Sequence, residues 1–267
     1  MNMNSSSSRL MRHTLISAVI AFLLLPVLTV VPASLNRLSF IRLPPDEVSL
    51  RWYRTFFADL DWIRSLLTSF EVAMIATGLS IVLGVLAAIG LERCSPRVRT
   101  VILGLVVSPL IVPAIMTAVA LYYVMRRLGL HGTILGIALG HTIMCLPFAV
   151  INIGVSLKAL DQVLLRAAEG MGAGPWYVFR TVTFPIVLPG LAGGAAFAFI
   201  TSFDEVVISI FLAGIGAKTL TVKMWETMRV EFTPVTAVAS TLLLALTLVM
   251  FVLIQWLRRR QADRRTL

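Results

Sequence analysis

Charge is what this sequence has least of. Only 13% of its 267 residues are Asp, Glu, Lys or Arg, where a water-soluble domain carries roughly a quarter. Cysteine is nearly missing too: Cys94 and Cys145 are the only two. Cys145 lies inside an apolar run, which argues against a disulfide framework or a thiolate metal cluster. The three histidines, His13, His131 and His141, are scattered and form no ligand pair. No Ser-His-Asp set and no metal-ligand spacing occurs, so the chain offers no catalytic residues of its own. The segment Gly214-Ile215-Gly216-Ala217-Lys218-Thr219 invites a phosphate-loop reading, but that motif needs glycine directly before the lysine and again five residues earlier. Ala217 and Leu212 stand at those places, and the reading fails.

What is present is apolar length. Hydrophobic residues make up 58% of the chain, and the mean hydropathy is +0.92. A helix needs about 20 mostly apolar residues to cross a bilayer. Six runs meet that need, at 14–35, 68–91, 101–125, 133–156, 187–213 and 235–257. The expected fold class is therefore all-α, a polytopic membrane bundle of six transmembrane helices. The first run follows Arg9, Arg12 and His13 and has Ala33 near a cleavage-like position, as a secretory signal would. Its length favours a retained span.

The net charge of +10 sits in loops and tails, which speaks for orientation in a membrane rather than for nucleic acid. Arg9 and Arg12, then Arg93, Arg97 and Arg99, then Arg258, Arg259, Arg260, Arg264 and Arg265 mark the cytoplasmic side. Arg126 and Arg127 go against the trend. This orientation places the 1–13 tail, with its serine run, and the basic 258–267 tail in the cytoplasm. It also places the 157–186 loop there, and leaves 36–67 and 214–234 outside.

Pro26, Pro109, Pro113, Pro147 and Pro189 fall within the apolar runs, where each is expected to kink a helix rather than end it. Gly190 and Gly194 form a small-xxx-small pair beside Gly193, Ala195 and Ala196, a face suited to close packing on another helix. No internal repeat is visible, which disfavours an inverted-repeat secondary transporter.

Between the fourth and fifth runs stands Arg166-Ala167-Ala168-Glu169-Gly170-Met171-Gly172-Ala173-Gly174-Pro175-Trp176. Leu164, Ala167, Ala168 and Met171 share one stripe of a short helix. Gly172 suits a left-handed helix terminus, and Pro175 suits the first position of a second helix. Trp176 and Phe179 lie one turn apart on it, and Pro185 is expected to open the next span. Two readings of this block stay open on composition: an amphipathic segment on the lipid surface, or a stiff unit shaped for a protein partner.

The spacing favours the second. The block resembles the signature of the permeases of binding-protein-dependent ABC importers: Glu-Ala-Ala, three residues, Gly, nine residues, then Ile-x-Leu-Pro. The matching positions here are Arg166-Ala167-Ala168, Gly172 and Val182-Thr183-Phe184-Pro185. The similarity extends over about residues 50–257, and Ser49–Tyr53, Ser202–Glu205 and Thr219-Leu220 look most like the spermidine/putrescine type. The resemblance implies a permease core over 68–257 with five of the spans and the type I ABC importer permease fold, in the plasma (inner) membrane of a prokaryote. It implies a cytoplasmic ATP-binding subunit dimer that holds ATP and magnesium, so this chain needs no cofactor. It further implies a second homologous permease subunit and an external solute-binding protein. Arg166, Ala167, Ala168, Glu169, Gly172 and Pro185 become the candidate coupling residues. Arg166 stands where the family carries Glu, which leaves Glu169, one turn on, as the nearest acidic group.

Asp204 and Glu205 interrupt the fifth run. Ionised carboxylates at membrane depth are costly and face a cavity or a partner. At about 1.5 Å per residue from Pro185, Asp204 lies roughly 28 Å along the helix, toward the outer leaflet. Two readings coexist: Ser202-x-x-Glu205 forms a capping box at a helix break, and the carboxylates line a path for a cationic solute such as a polyamine. An ABC importer permease for another small solute is the nearest alternative; an ion-coupled secondary transporter and a non-transporting scaffold are the rivals that predict no ATPase partner.

Overall fold

The computed structural model describes residues 4–160, 162–231 and 233–263; the side chains of residues 4–10, Gln162, Arg166, Glu169, Ile254 and 256–263 lie outside that description. Among the described residues there are thirteen α-helices, one π-helical turn and a single isolated bridge. Two compact units are distinguished, Met1–Leu60 with Met224–Leu244, and Asp61–Lys223 with Ala245–Leu267.

In the first unit, α1 (Asn4–Leu28) is followed by α2 (Val30–Ser34) and α3 (Arg51–Ala58). Every residue from 11 to 28 is exposed. A helix segment that is apolar on all sides and exposed along this length has lipid as its solvent. The segment between α2 and α3, expected as a plain loop, is folded on itself. Ser49 N–H donates to the Leu35 carbonyl at 2.8 Å, Asn36 Nδ2 to that of Arg42 at 2.9 Å, and Trp52 Nε1 to that of Leu38 at 3.0 Å. The ion pairs Arg37–Glu47 and Arg42–Asp46 sit on its exposed surface.

The second unit starts with the body of α4 (Leu60–Glu92). This helix begins eight residues before the apolar run, with Asp61 in its first turn and both Asp61 and Arg64 exposed. At about 1.5 Å per residue its 33 residues exceed the bilayer core. The third run is broken where one span was expected. It forms α5 (Pro96–Ile111) and α6 (Ala114–Arg127), bent by 100°. Pro113 drives its predecessor Val112 out of helical backbone, to φ −68° and ψ 135°. Pro26, Pro109, Pro147 and Pro189 stay inside continuous helices. Then come α7 (Ile134–Lys158), α8 (Gln162–Gly170), α9 (Pro175–Val178), the π turn Phe179–Thr183, α10 (Phe184–Asp204), α11 (Val207–Leu212), α12 (Leu220–Val230) and α13 (Pro234–Asp263). Among the described residues, five helices are long and apolar enough to cross a membrane, and the bent α5–α6 pair makes six when taken as one span.

The fifth run breaks where the capping-box reading placed a helix break. It ends as a helix at Asp204 and restarts at Val207. Its glycine face packs on α7: a Cβ at Gly190 would stand 2.3 Å from Ser156 Oγ and 2.6 Å from the Asn152 carbonyl, and one at Gly194 3.2 Å from Ala149 Cα. Gly190→Ala is thus expected to cost about 1–3 kcal/mol by overpacking. Gly154→Ala, with nothing within 4 Å of its would-be Cβ, serves as the matched control. Thermal unfolding in detergent should fall for the first and not the second; equal midpoints would contradict the packing.

Candidate functional site

Two places concentrate unusual features. The first is the helix pair before α10. Gly172 has φ +82°, a backbone that side chains with a Cβ disfavour. Ala173 N–H donates to the Ala168 carbonyl at 3.2 Å, the six-residue closure of a Schellman motif with Gly172 at its left-handed position. Nothing lies within 4 Å of a Cβ built at Gly172, so conformation, not space, selects glycine. Gly174 caps α9 in extended conformation and Pro175 takes its first position. The rings of Trp176 and Phe179 stack with centroids 5.6 Å apart.

Pro185 stands in the first turn of α10, as expected, but the helix does not start afresh there. The helix runs from Pro175 through the π turn to Asp204, with Phe184 N–H reaching back to the Phe179 carbonyl. Pro185 lacks an N–H and crowds the carbonyl four residues before it, and the widened turn relieves that clash. Val163, Leu164, Met171, Trp176 and Tyr177 are exposed, as are Ala167 and Gly172. Ala168 is buried, at 8% exposure, so the alanine stripe is split between the outside and the chain's own interior. The side chains of Arg166 and Glu169 lie outside the described residues.

The second place is the break between α10 and α11. Asp204 is exposed and Glu205 half-buried. Glu205 Oε2 accepts from Ile208 N–H at 3.0 Å, and the Glu205 carbonyl accepts from Thr221 Oγ1 at 3.0 Å. The helix therefore does break here, but Ser202 does not cap it. Its hydroxyl meets Nδ1 of His141 at 2.8 Å, while Nε2 of His141 meets Ser209 Oγ at 2.9 Å. Around this polar knot, Val72, Ala118, Leu121, Ile137, Ile208 and Leu212 form a buried apolar cluster. Gly214 serves close approach: a Cβ there would stand 2.7 Å from Gly132 Cα.

Against this background, residues 80–263 match the family model described as a binding-protein-dependent transport system inner membrane component. The chain belongs to this family. The permease is 27% identical over 251 residues to the spermidine/putrescine transport system permease protein PotC of Escherichia coli K12, covering 94% of this chain and 95% of PotC. It is 29% identical over 252 residues to the putrescine transport system permease protein PotI of the same strain, covering 91% and 88%. A trehalose transport system permease protein, SugB of Mycobacterium tuberculosis, is 28% identical over 74% of each chain. Among solved structures, a bacterial ABC transporter that imports the acidic polysaccharide alginate superposes with a TM-score of 0.70. That match has 17% identity and covers 97% of this chain and 99% of the other. A MetNI methionine ABC transporter gives a TM-score of 0.60 with 20% identity, covering 74% of this chain and 95% of the other. The permease thus has the type I ABC importer fold and is a multi-pass transport subunit of the inner membrane, not an enzyme.

Sequence reasoning singled out Asp204 and Glu205 but passed over His141, Ser209 and Thr221. The available signal was His141 itself: an ionisable side chain inside a 25-residue apolar helix marks a site by default. A search for metal-ligand pairs cannot register a lone histidine held by two hydroxyls.

Proposed function

We propose that this permease forms half of the pore of an ATP-driven importer for a polyamine or a related small cation. The observation that carries the substrate class is the similarity to PotC, which runs over nearly the full length of both chains. The exposed Asp204 and half-buried Glu205 at the end of α10 far from the helix pair that precedes it support this class, because acidic groups attract a flexible polycation. In this reading both termini and the 157–186 loop are cytoplasmic. Segments 36–67 and 214–234 then face outside, where a solute-binding protein delivers its cargo. A second, similar permease completes the pore.

The helix pair at 160–182 is the point at which a cytoplasmic ATP-binding subunit grips. Its exposed aromatics, its glycine-locked corner and its helical continuity into α10 support that role. Closure of the ATPase dimer moves the pair as a rigid piece, and α10 passes the motion to the break at 205–206. Such coupling needs two states that the partner biases unequally.

The test is uptake of labelled putrescine into vesicles holding this permease, its partner permease, the ATPase subunits and the binding protein. Uptake should require ATP, saturate, and yield to spermidine but not to sugars or anionic amino acids. Competition by a sugar alone would overturn the substrate class. Asp204→Asn is expected to raise the KM for putrescine several-fold at unchanged membrane level, since an exposed carboxylate attracts a cation by about 1 kcal/mol. Identical kinetics would remove Asp204 from the path.

A further inference from the structure

His141 is wholly buried, and both of its ring nitrogens are engaged. Nδ1 meets Ser202 on α10 at 2.8 Å, and Nε2 meets Ser209 on α11 at 2.9 Å. Glu205 lies between those two serines, at the break. A neutral imidazole has one N–H and one lone pair, and a serine hydroxyl plays either part, so both nitrogens are matched whichever tautomer forms. The neighbouring residue on α7 adds a second grip on the same short helix. Gly140 has no side chain where Leu212 and Ile208 approach, at 2.6 Å and 3.0 Å from its would-be Cβ. α7 thus offers a flat seat at 140 and a two-ended polar tie at 141.

We propose that His141 is a positioning residue of the solute path. It latches α11 to α10 across the break and so sets where the Glu205 carboxylate stands. Without the tie, α11 would keep its apolar seat and, at its far end, the bonds of its Leu212 carbonyl to Gly132 N–H at 3.0 Å and of its Phe211 carbonyl to His131 Nε2 at 3.3 Å. Its first turn would lose its polar hold on α7, and the Ile208 N–H that Glu205 accepts from would swing with it. The inference rests on the reading of Glu205 as lining a cation path, yet the latch itself is measurable without any solute.

Amide hydrogen exchange on the whole purified transporter reads the latch. In His141→Ala the peptides spanning 202–212 should exchange about tenfold faster, the loss of two interhelical hydrogen bonds in a membrane protein. Peptides of α12 should not change. His141→Asn keeps reach only toward Ser202 and His141→Gln only toward Ser209; each should give the fast exchange, because one end does not make a tie. If His141→Ala fails to assemble, Ser209→Ala removes one oxygen and carries the same test. Unaltered exchange over 202–212 overturns the latch.

Transport then separates positioning from general structure. The KM for labelled putrescine should rise about threefold in His141→Asn, the loss of one interhelical hydrogen bond, and show no further rise when Glu205→Gln is already present. An equal rise in both backgrounds overturns action through Glu205. Should the unmutated transporter import no putrescine under ATP, the proposed function fails, and the exchange measurement alone decides the latch.

Discussion

Gly172→Val is expected to cut ATP-driven uptake by about tenfold or more while the permease still inserts and folds. Gly172 sits at φ +82°, where a side chain with a Cβ costs roughly 1–2 kcal/mol and a β-branched one more. That penalty shifts the population of the corner by about 5- to 30-fold. The corner is held by the bond from Ala173 to Ala168, so its loss re-aims α9 relative to α8 and misplaces the surface that a partner must grip. Space is not the difficulty, because nothing lies within 4 Å of the added Cβ. Gly172→Asn should therefore keep most activity, since asparagine tolerates the left-handed region. Uptake in proteoliposomes, normalised to inserted permease, distinguishes the two. Valine and asparagine variants of equal, full activity would show that the corner geometry is not used.

Glu205→Leu is expected to lose about ten- to a hundredfold in putrescine uptake, because it removes a carboxylate and a charge-assisted hydrogen bond worth about 1.5–3 kcal/mol. Two effects are combined in that number. The carboxylate accepts from Ile208 N–H at 3.0 Å and so starts α11, and it supplies negative charge beside Asp204. Glu205→Gln separates them, since its amide oxygen still accepts from Ile208 while the charge is gone. If charge dominates, Gln and Leu should be equally poor and chiefly raise KM. If the cap dominates, Gln should recover most activity and Leu should lower the maximal rate. Full activity of Glu205→Leu would exclude both roles.

The architecture was legible in the sequence wherever length and apolarity decide it. The fourth run, expected at 133–156, is α7 at Ile134–Lys158, and its start is marked by Thr133 Oγ1 accepting from Gly136 N–H. The Gly172 terminus and the Pro175 start were legible too, because both follow from backbone restrictions that belong to single residues. The misses share a cause. Apolar composition says that a segment is in lipid, not that it is straight. The bend at Pro113 lies in a run whose side chains stay apolar on both sides of the break. Pro113 looks no different in sequence from Pro147, which α7 absorbs. What separates them is tertiary: Pro147 is fully buried in a packed helix, whereas α5 has no buried residue to hold it in line with α6. The π turn at 179–183 follows from Pro185 only once the helix is known to run on through it. At the site, the carboxylates were visible because charge is conspicuous in an apolar run. The serines that hold His141 were not, since hydroxyls are common in membrane helices and their partners are set by long-range packing.

The central claim is that a cytoplasmic ATPase subunit holds the helix pair at 160–182. The most direct measurement places single cysteines at Ala167 and Ala168 in an otherwise cysteine-free, active transporter and applies a short bifunctional thiol reagent. Ala167 is exposed and Ala168 buried. Ala167→Cys should yield an adduct with a cysteine in the ATPase subunit whose amount changes with nucleotide, and Ala168→Cys should not. An actively importing complex that gives no adduct from Ala167 in any nucleotide state would contradict the account.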